Sequence, residues 1–197
     1  TEFNRSKKLI KYPRVALTSA SQDGYNVTAS HHGSIYYPWE AFDAYGDAVG
    51  WHSNPASAST TAYNGTNGLY SGTTRLSTET ELGEWLALEL PEAIKLIDVN
   101  MVSQSYSAVT NTLDNFIVYA KKQSGDTWTS LGVFTGKAVF QTSVAGVTVA
   151  VNAVDYYKFF AIVARKRDQL NDPSGVSIRE LEYYGHEEGD SSLDTTL

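Results

Sequence analysis

The sequence predicts an all-β protein, an antiparallel sandwich or barrel. Short runs of β-branched and aromatic residues recur along the chain, and clusters of Gly, Asn, Asp and Ser separate them. Many short strands with turn signals at this spacing are typical of sandwiches and barrels. No stretch has the apolar periodicity of a helix of three turns. At 197 residues the chain is long enough to bury the core of one such domain.

The first predicted elements form a hairpin. Residues 15–20 and Tyr25–Ala29 flank a turn at Gln22-Asp23-Gly24. One helical turn is expected over Pro38–Phe42, with proline at its start. Residues 85–90 alternate as a half-buried strand does, with Leu86, Leu88 and Leu90 on one face and Glu89 on the other. The remaining predicted strands are 94–102, 116–121, 128–134, 147–151, 157–164 and 178–183.

Composition and charge limit the classes of partner that the protein is expected to bind. The chain is 42% hydrophobic and 19% charged, which is ordinary for a globular protein, and its longest apolar runs are only of strand length. The net charge of -7 argues against nucleic acid and anionic membranes, since binding to phosphate requires a basic surface. We therefore expect no nucleic-acid partner and no membrane insertion. The chain has no cysteine, which excludes disulfides and thiolate metal sites.

Charge and composition divide the chain into three parts. Residues 1–11 form a basic arm, 12–185 the β-domain, and 186–197 an acidic linker to a following domain. Within the domain, residues 53–82 carry many Ser, Thr, Asn and Gly and little apolar periodicity. Loops of such length are usually functional or disordered. Tyr63, Tyr70 and Arg75 lie in this segment, which we expect to line the end of the domain that binds a ligand.

Three blocks of sequence resemble a known family. They are PWEAFDAYGDAVGWHS (38–53), GEWLALELP (83–91) and VSIRELEYYG (176–185). Together they resemble the discoidin or coagulation-factor type C domain, which is similar to the family 32 carbohydrate-binding modules. The resemblance implies a jelly-roll, galactose-binding-like β-sandwich that binds without catalysis. It also implies a secreted protein, or a place on a cell or virion surface.

The same resemblance implies a structural Ca²⁺ site. Its side-chain ligands would be Asp43 and Glu180, and Ca²⁺ favours hard oxygen ligands of this kind. A hydroxyl ligand of the family is missing, and Asp47 or the carbonyl of Val49 would replace it. Further carbonyl ligands would come from Glu40, Tyr45 and Arg179. The alternative is that both carboxylates cap turns and pair with Lys or Arg.

A sugar site is expected in loops at one end of the sandwich. Aromatic faces would stack on the sugar, and His, Arg and Asn would bind its hydroxyl groups. Two alternatives stay open, since His52 would equally support the turn at Trp51, and Arg165 would equally be a solvated strand end. The candidates are His31, His32, His52, Tyr63, Tyr70, Arg75, Arg165 and Asn171, with Tyr106 and Asn111 as further members.

Catalysis is not expected. Glu79, Glu81 and Glu84 cluster, but in a polar loop where they would be solvated and ionised. No motif of a serine hydrolase, zinc protease or phosphate-binding loop occurs. The resemblance therefore implies a carbohydrate-binding adhesion module with a galactose-type glycan as its ligand. The alternative is a structural or protein–protein module, as in a virion fibre or adhesin stalk.

Overall fold

The computed structural model describes residues 9–44, 50–53, 62–102, 113–136, 146–167 and 175–189. These ranges contain one 3-10 helix, Pro38–Phe42, and otherwise strands joined by turns and loops. The strands are β1 (Ile10–Tyr12), β2 (Ser21–Gln22), β3 (Tyr25–Ala29), β4 (Trp51–His52), β5 (Glu84–Val102), β6 (Leu113–Lys121), β7 (Thr129–Phe134), β8 (Val147–Ala150), β9 (Tyr157–Arg167), β10 (Ser177–Ile178) and β11 (Glu180–Glu187).

One long strand, β5, belongs to both layers of the fold. Leu88 pairs with Phe160 of β9, and Val99 pairs with Tyr183 of β11. At about 3.3 Å per residue, the positions of Leu88 and Val99 on a straight strand would be about 36 Å apart. The rings of Phe160 and Tyr183 nevertheless lie with centroids 5.2 Å apart. Strand β5 therefore folds back on itself, and its register shifts between Glu89 and Ile94, around Pro91.

The bend produces a two-layer antiparallel sandwich, which confirms the predicted fold class. The first half of β5 pairs with β3 and β9, and the order continues to β6 and β7 on one side and to β2 on the other. The second half of β5 pairs with β11 and β8, and β1 lies beyond β11. Strands β4 and β10 form a separate two-stranded sheet.

The core fills the space between the layers. Leu86, Leu88 and Leu90 are fully buried there, as their alternation predicts. The opposite face of the first layer carries a second apolar cluster around Ala87 and Val163. Leu76, Trp85 and Trp128 pack against this second cluster. The first layer therefore has apolar residues on both faces, and we call the face with the second cluster the outer face.

The hairpin differs in part from the prediction. Strands β2 and β3 pair across a turn in which Asp23 (φ 50°) and Gly24 (φ 83°) are left-handed, the backbone of a type I′ turn. Residues 15–20 do not form the expected strand. Leu17 instead inserts its side chain into the core and donates its N–H to the carbonyl of Phe42, at 2.9 Å. The partner strand is thereby reduced to Ser21–Gln22.

Both ends of the domain are paired with each other. Ile10 of β1 lies opposite Gly185 of β11, and β11 continues to Glu187. The sheet thus extends two residues beyond the expected bounds of 12–185 at each end. Among the described residues there is no helix with the length and apolar character of a membrane span.

Candidate functional site

Several chain segments meet at one end of the sandwich. Strand β3 leads into Ser30, whose N–H donates to the carbonyl of Trp85 near the start of β5. The indole N–H of Trp51 donates to the carbonyl of His31 at 2.8 Å. The main-chain N–H of Arg179, which follows β10, donates to the carbonyl of Val102 at the other end of β5. Because β5 folds back, both of its ends lie here, and we call this region the loop end.

A buried carboxylate, Glu84, organises the loop end. Its side chain is 2% exposed. Its Oε2 accepts from the hydroxyl of Ser30 at 2.5 Å and lies 3.0 Å from Nδ1 of His31. Its Oε1 accepts from the hydroxyl of Tyr70 at 3.1 Å. The expectation of a solvated Glu84 is therefore wrong, since this residue begins β5 and faces inward.

The strand pattern explains why Glu84 is buried. Side chains alternate across a strand, so Glu84 shares the inward face of Leu86 and Leu88. Glu84 lies at the edge of the core. Polar side chains from two loops are close enough there to form hydrogen bonds with it. Extending the alternation of residues 85–90 backwards by one residue would have revealed this position.

Glu84 also determines the tautomer of His31. A carboxylate only accepts hydrogen bonds, so Nδ1 of His31 must carry the proton. The other ring nitrogen, Nε2, is then an acceptor while the ring is neutral. The His31 side chain is 42% exposed. The arrangement thus presents an oriented imidazole at the surface.

Segment 62–82 contributes Tyr70 to the loop end but not Tyr63. Tyr63 is fully buried, and its hydroxyl donates to the carbonyl of Ala164 at 3.2 Å. Burial raises the pKa of its hydroxyl well above 10. The prediction that Tyr63 contacts a ligand is therefore wrong. Its ring supports that of Tyr70 edge-on, with centroids 5.2 Å apart.

His52 is likewise a supporting residue. It is only 8% exposed, and the ring of Tyr36 meets it edge-on with centroids 5.6 Å apart. Its carbonyl accepts from the N–H of Gly33 at 3.1 Å. His52 thus holds the 31–37 loop from beneath, and the prediction of a ligand contact is replaced by the alternative of turn support. Trp51, beside it, is a core residue.

An exposed row of rings follows His31. The rings of His32 and Tyr37 have centroids 5.4 Å apart, and Tyr37 stacks on Trp39 at 6.1 Å with an interplanar angle of 8°. His32 and Tyr37 are exposed, whereas Trp39 is half-buried. This row offers flat apolar faces in the segment that follows His31.

Arg165 lies on the outer face beside Tyr70. Its carbonyl accepts from the N–H of Tyr70, and its guanidinium lies 3.9 Å from Glu81. Arg165 and Tyr70 line a cleft of about 290 Å³. The walls of this cleft include the exposed side chains of Leu69, Leu82 and Val133. Arg75 is also on the outer face, where its carbonyl accepts from the indole of Trp85 and its guanidinium donates to the carbonyl of Thr78.

The segments that carry the expected calcium ligands contact each other. Asp43 directly follows the 3-10 helix, and Phe42, the last helical residue, stacks on Tyr183 of β11 with centroids 6.5 Å apart. The Glu40 carboxylate accepts from the N–H of Tyr37 at 2.9 Å, which leaves its carbonyl as the expected ligand. Glu180 is 2% exposed at the start of β11.

The expected calcium ligands include three main-chain carbonyls, those of Glu40, Tyr45 and Arg179. Among the described residues, no group of three or more His, Asp or Glu side chains has the geometry of a metal site. Tyr45, Asp47 and Val49 lie outside the described residues, as do Asn171, Tyr106 and Asn111. The calcium site remains a prediction.

Comparison with known proteins shows what the fold is. No family model matches the sequence, and no curated protein matches it. Among solved structures, the chain is similar to CBM32-3 from a family 31 glycoside hydrolase of Clostridium perfringens, at 15% identity and a TM-score of 0.57 over 83% of this chain and 92% of that one.

Two further similar structures hold sugars. One is the family 32 carbohydrate-binding module of Clostridium perfringens NanJ in complex with galactose, at 15% identity and a TM-score of 0.53 over 82% of this chain and 93% of that one. The other is CpGH89CBM32-5 of the same organism in complex with GalNAc-β-1,3-galactose, at 14% identity and a TM-score of 0.53 over 83% of this chain and 96% of that one. The chain therefore has the discoidin-like β-sandwich fold of the family 32 carbohydrate-binding modules.

Proposed function

We propose that the protein is a non-catalytic carbohydrate-binding module whose site lies at the loop end. The observation that carries the proposal is the buried Glu84, which holds His31 and Tyr70 at once. Fixing two polar side chains before a ligand arrives reduces the entropy lost on binding. The fold similarity supports the proposal, because modules of this fold bind galactose and GalNAc-β-1,3-galactose.

The surface around His31 suits a sugar. Nε2 of His31 accepts from a hydroxyl group, while the exposed ring of Tyr37 offers a stacking face for the C–H groups of a pyranose. Arg165, beside Tyr70, supplies planar donors for a further hydroxyl pair. A galactose-type glycan is the proposed ligand, bound with a Kd in the micromolar to millimolar range, because a shallow site offers few contacts against water.

The environment of Glu84 supports a role without catalysis. Glycoside hydrolysis requires a carboxyl group that protonates the glycosidic oxygen and a second carboxylate near it. Both oxygens of Glu84 already accept from Ser30, His31 or Tyr70, and the side chain is enclosed. Glu84 thus positions other residues, and we propose that the module acts in adhesion as part of a larger extracellular protein.

We further propose that a Ca²⁺ ion stabilises the module. Asp43 and Glu180 would provide carboxylate oxygens, and the carbonyls of Glu40 and Arg179 would complete part of the shell. The ion would join the segment after the 3-10 helix to the start of β11. Its role would be structural, since both carboxylates belong to the scaffold beneath the loops.

A glycan-array screen of the protein, followed by calorimetric titration, tests the function. We expect binding to galactose-terminated glycans, weakened about tenfold by Tyr37→Ala because the stacking face is lost. Tyr156→Ala, a half-buried tyrosine in the loop before β9, is the matched control and should leave affinity unchanged. Failure to bind any glycan would reject the proposal and favour a protein–protein module, for which the exposed aliphatic cleft of Leu69, Leu82 and Val133 would be the contact surface.

A further inference from the structure

A groove on the outer face lies apart from the loop end. It has a volume of about 180 Å³, and it opens where segment 62–82 no longer covers the first layer. Its floor is the main chain of β5 around Ala87, next to the second apolar cluster. Its walls carry Asn26, Thr28, Glu89, Lys121, Trp128 and Phe159.

The groove is separated from the loop end along the sheet. Glu89 follows Glu84 by five residues on β5, which corresponds to about 16 Å. The two side chains also point to opposite faces of the strand, because their positions differ in parity. A monosaccharide at the loop end cannot reach this groove.

A hydrogen bond and an ion pair hold the polar side chains of the groove in place. Asn26 and Glu89 are opposite residues on β3 and β5, and the Asn26 amide donates to Oε2 of Glu89 at 3.0 Å. Lys158 Nζ lies 3.7 Å from Oε1 of Glu89. Because strands rather than loops carry these groups, their positions are set by the sheet. The amide oxygen of Asn26 and the remaining lone pairs of Glu89 face the groove as acceptors.

Two aromatic rings form the apolar part of the groove. The ammonium of Lys121 lies 4.9 Å from the centroid of Trp128 and 5.2 Å from that of Phe159. It also donates to the carbonyl of Ser124 in the turn that follows β6. Lys121 therefore bridges the two rings and retains donors for a further acceptor.

We propose that this groove is a second saccharide site, which binds one neutral pyranose. A pyranose has an apolar C–H face and a rim of hydroxyl groups, and the groove pairs aromatic rings with fixed acceptors and an ammonium donor in the same way. A neutral sugar suits these groups, because its hydroxyl groups can donate to Glu89 and Asn26 and accept from the ammonium of Lys121. The site is independent of the loop end and does not rest on the function proposed for it.

The tryptophans allow each site to be observed separately. The indole N–H of Trp51 is bonded to the carbonyl of His31 and reports on the loop end. The indole N–H of Trp128 reports on the groove. The indole N–H of Trp85 donates to the carbonyl of Arg75 under segment 62–82 and serves as the internal reference. The indole signals are assigned by nuclear magnetic resonance, and galactose, glucose, mannose and N-acetylglucosamine are titrated in turn to millimolar concentrations.

We expect at least one of these sugars to shift the Trp128 signal saturably. The shift should persist in His31→Ala and require about three- to tenfold more sugar in Asn26→Ala and in Glu89→Gln. The first variant removes a hydrogen-bonding group, and the second replaces a charged acceptor with a weaker, neutral one. Glu92→Gln, an exposed position on the same strand, is the matched control and should behave as the wild type.

Three results would overturn the second site. They are a Trp128 signal that none of the four sugars shifts, a shift that disappears in His31→Ala, and a shift that Asn26→Ala leaves unchanged. Saturable shifts of the Trp128 signal alone would support a sugar site in the groove and count against one at the loop end. Shifts of the Trp51 signal alone would support the loop-end site and count against the groove.

Discussion

Gly50 lies directly against the main chain of Arg179. A Cβ built on Gly50 would be 2.4 Å from the Cα of Arg179 and 2.4 Å from the carbonyl oxygen of Ile178. Gly50 also has a left-handed backbone, with φ of 68°. The chain that enters β4 is thus in contact with the chain between β10 and β11, and only glycine meets both demands.

Gly50→Ala should therefore be strongly destabilising. The left-handed backbone costs an alanine about 1 kcal/mol, and the overlap with Arg179 adds about 1–3 kcal/mol. Gly136→Ala is the matched control, because Gly136 has φ of 63° but no atom within 4 Å of a built Cβ. Chemical denaturation of both variants separates the two effects. Equal losses of stability would show that the contact with Arg179 carries no cost.

Added Ca²⁺ should raise the melting temperature, and a chelator should lower it. An ion that binds only the folded chain stabilises it by mass action. Asp43→Ala should remove this response, while Asp155→Asn, an exposed carboxylate paired with Lys122, should retain it. Scanning fluorimetry with and without chelator measures the response. Identical melting curves for the wild type in both conditions would reject the calcium site.

Glu84→Gln should weaken glycan binding about tenfold. The amide brings donors towards His31, Ser30 and Tyr70, so their common acceptor is partly lost, and charge-assisted hydrogen bonds contribute about 1.5–3 kcal/mol. Glu92→Gln, an exposed position on the same strand, is the matched control. Affinity is measured by calorimetry, with circular dichroism to show that both variants are folded. Unchanged affinity in Glu84→Gln would mean that His31 and Tyr70 do not act through this carboxylate.

Tyr183→Phe should stabilise the protein by about 1 kcal/mol. Tyr183 is fully buried between the layers, and within the described part of the chain its hydroxyl has no hydrogen-bond partner. Removing a buried hydroxyl without a partner removes its desolvation cost. Tyr63→Phe should instead destabilise by about 1 kcal/mol, because the hydroxyl of Tyr63 donates to Ala164. Denaturant midpoints compare the two, and a loss of stability in Tyr183→Phe would contradict the expectation.

Stability should fall as the pH rises above about 10. Burial raises the pKa of Tyr12 to about 12 and raises the pKa of Tyr63, Tyr70 and Tyr183. Tyrosine in the unfolded chain ionises near pH 10, so the unfolded chain then releases protons that the folded chain keeps. The stabilisation is complete below pH 10 and is lost as the pH rises towards the folded pKa values, by roughly 1.4 kcal/mol per pH unit for each fully buried tyrosine.

Denaturation curves between about pH 9 and pH 11 measure this slope. Tyr183→Phe should make it shallower, because the buried hydroxyl that keeps its proton in the folded chain is removed. An identical slope in the wild type and in Tyr183→Phe would contradict the assignment of alkaline sensitivity to buried tyrosine.

Periodicity predicted the fold well, since Leu86, Leu88 and Leu90 alternate as they face the core. It could not predict that β5 continues through Pro91 into both layers, because the fold-back is visible only in the pairing with β9 and β11. Residues 15–20 were wrongly predicted as a strand for a related reason. Leu17 is buried by a contact with Phe42, and a single anchored side chain gives no periodic signal.

The site was less predictable than the fold. Residue type suggested Tyr63, Tyr70 and His52 alike as sugar-binding residues, but burial separates them, and burial depends on contacts distant in sequence. Tyr63 is enclosed by Tyr70 and Ala164, whereas His31 remains exposed because Glu84 holds it from below. Glu84, which organises the loop end, is expected from the sequence to be solvated, because it follows the exposed Glu79 and Glu81 in a polar segment.

The pairing of β1 with β11 determines how the module would be presented. Ile10 lies opposite Gly185, two residues before Glu187, and Glu187 is opposite Ile94, far from Glu180 and Val102 at the loop end. Eight residues of β11 span about 23 Å between these two ends. Strand β1 therefore begins, and strand β11 ends, at the end of the sandwich opposite the loops. The two points at which the described sandwich joins the rest of the chain are thus separated from the proposed ligand site by the length of β11.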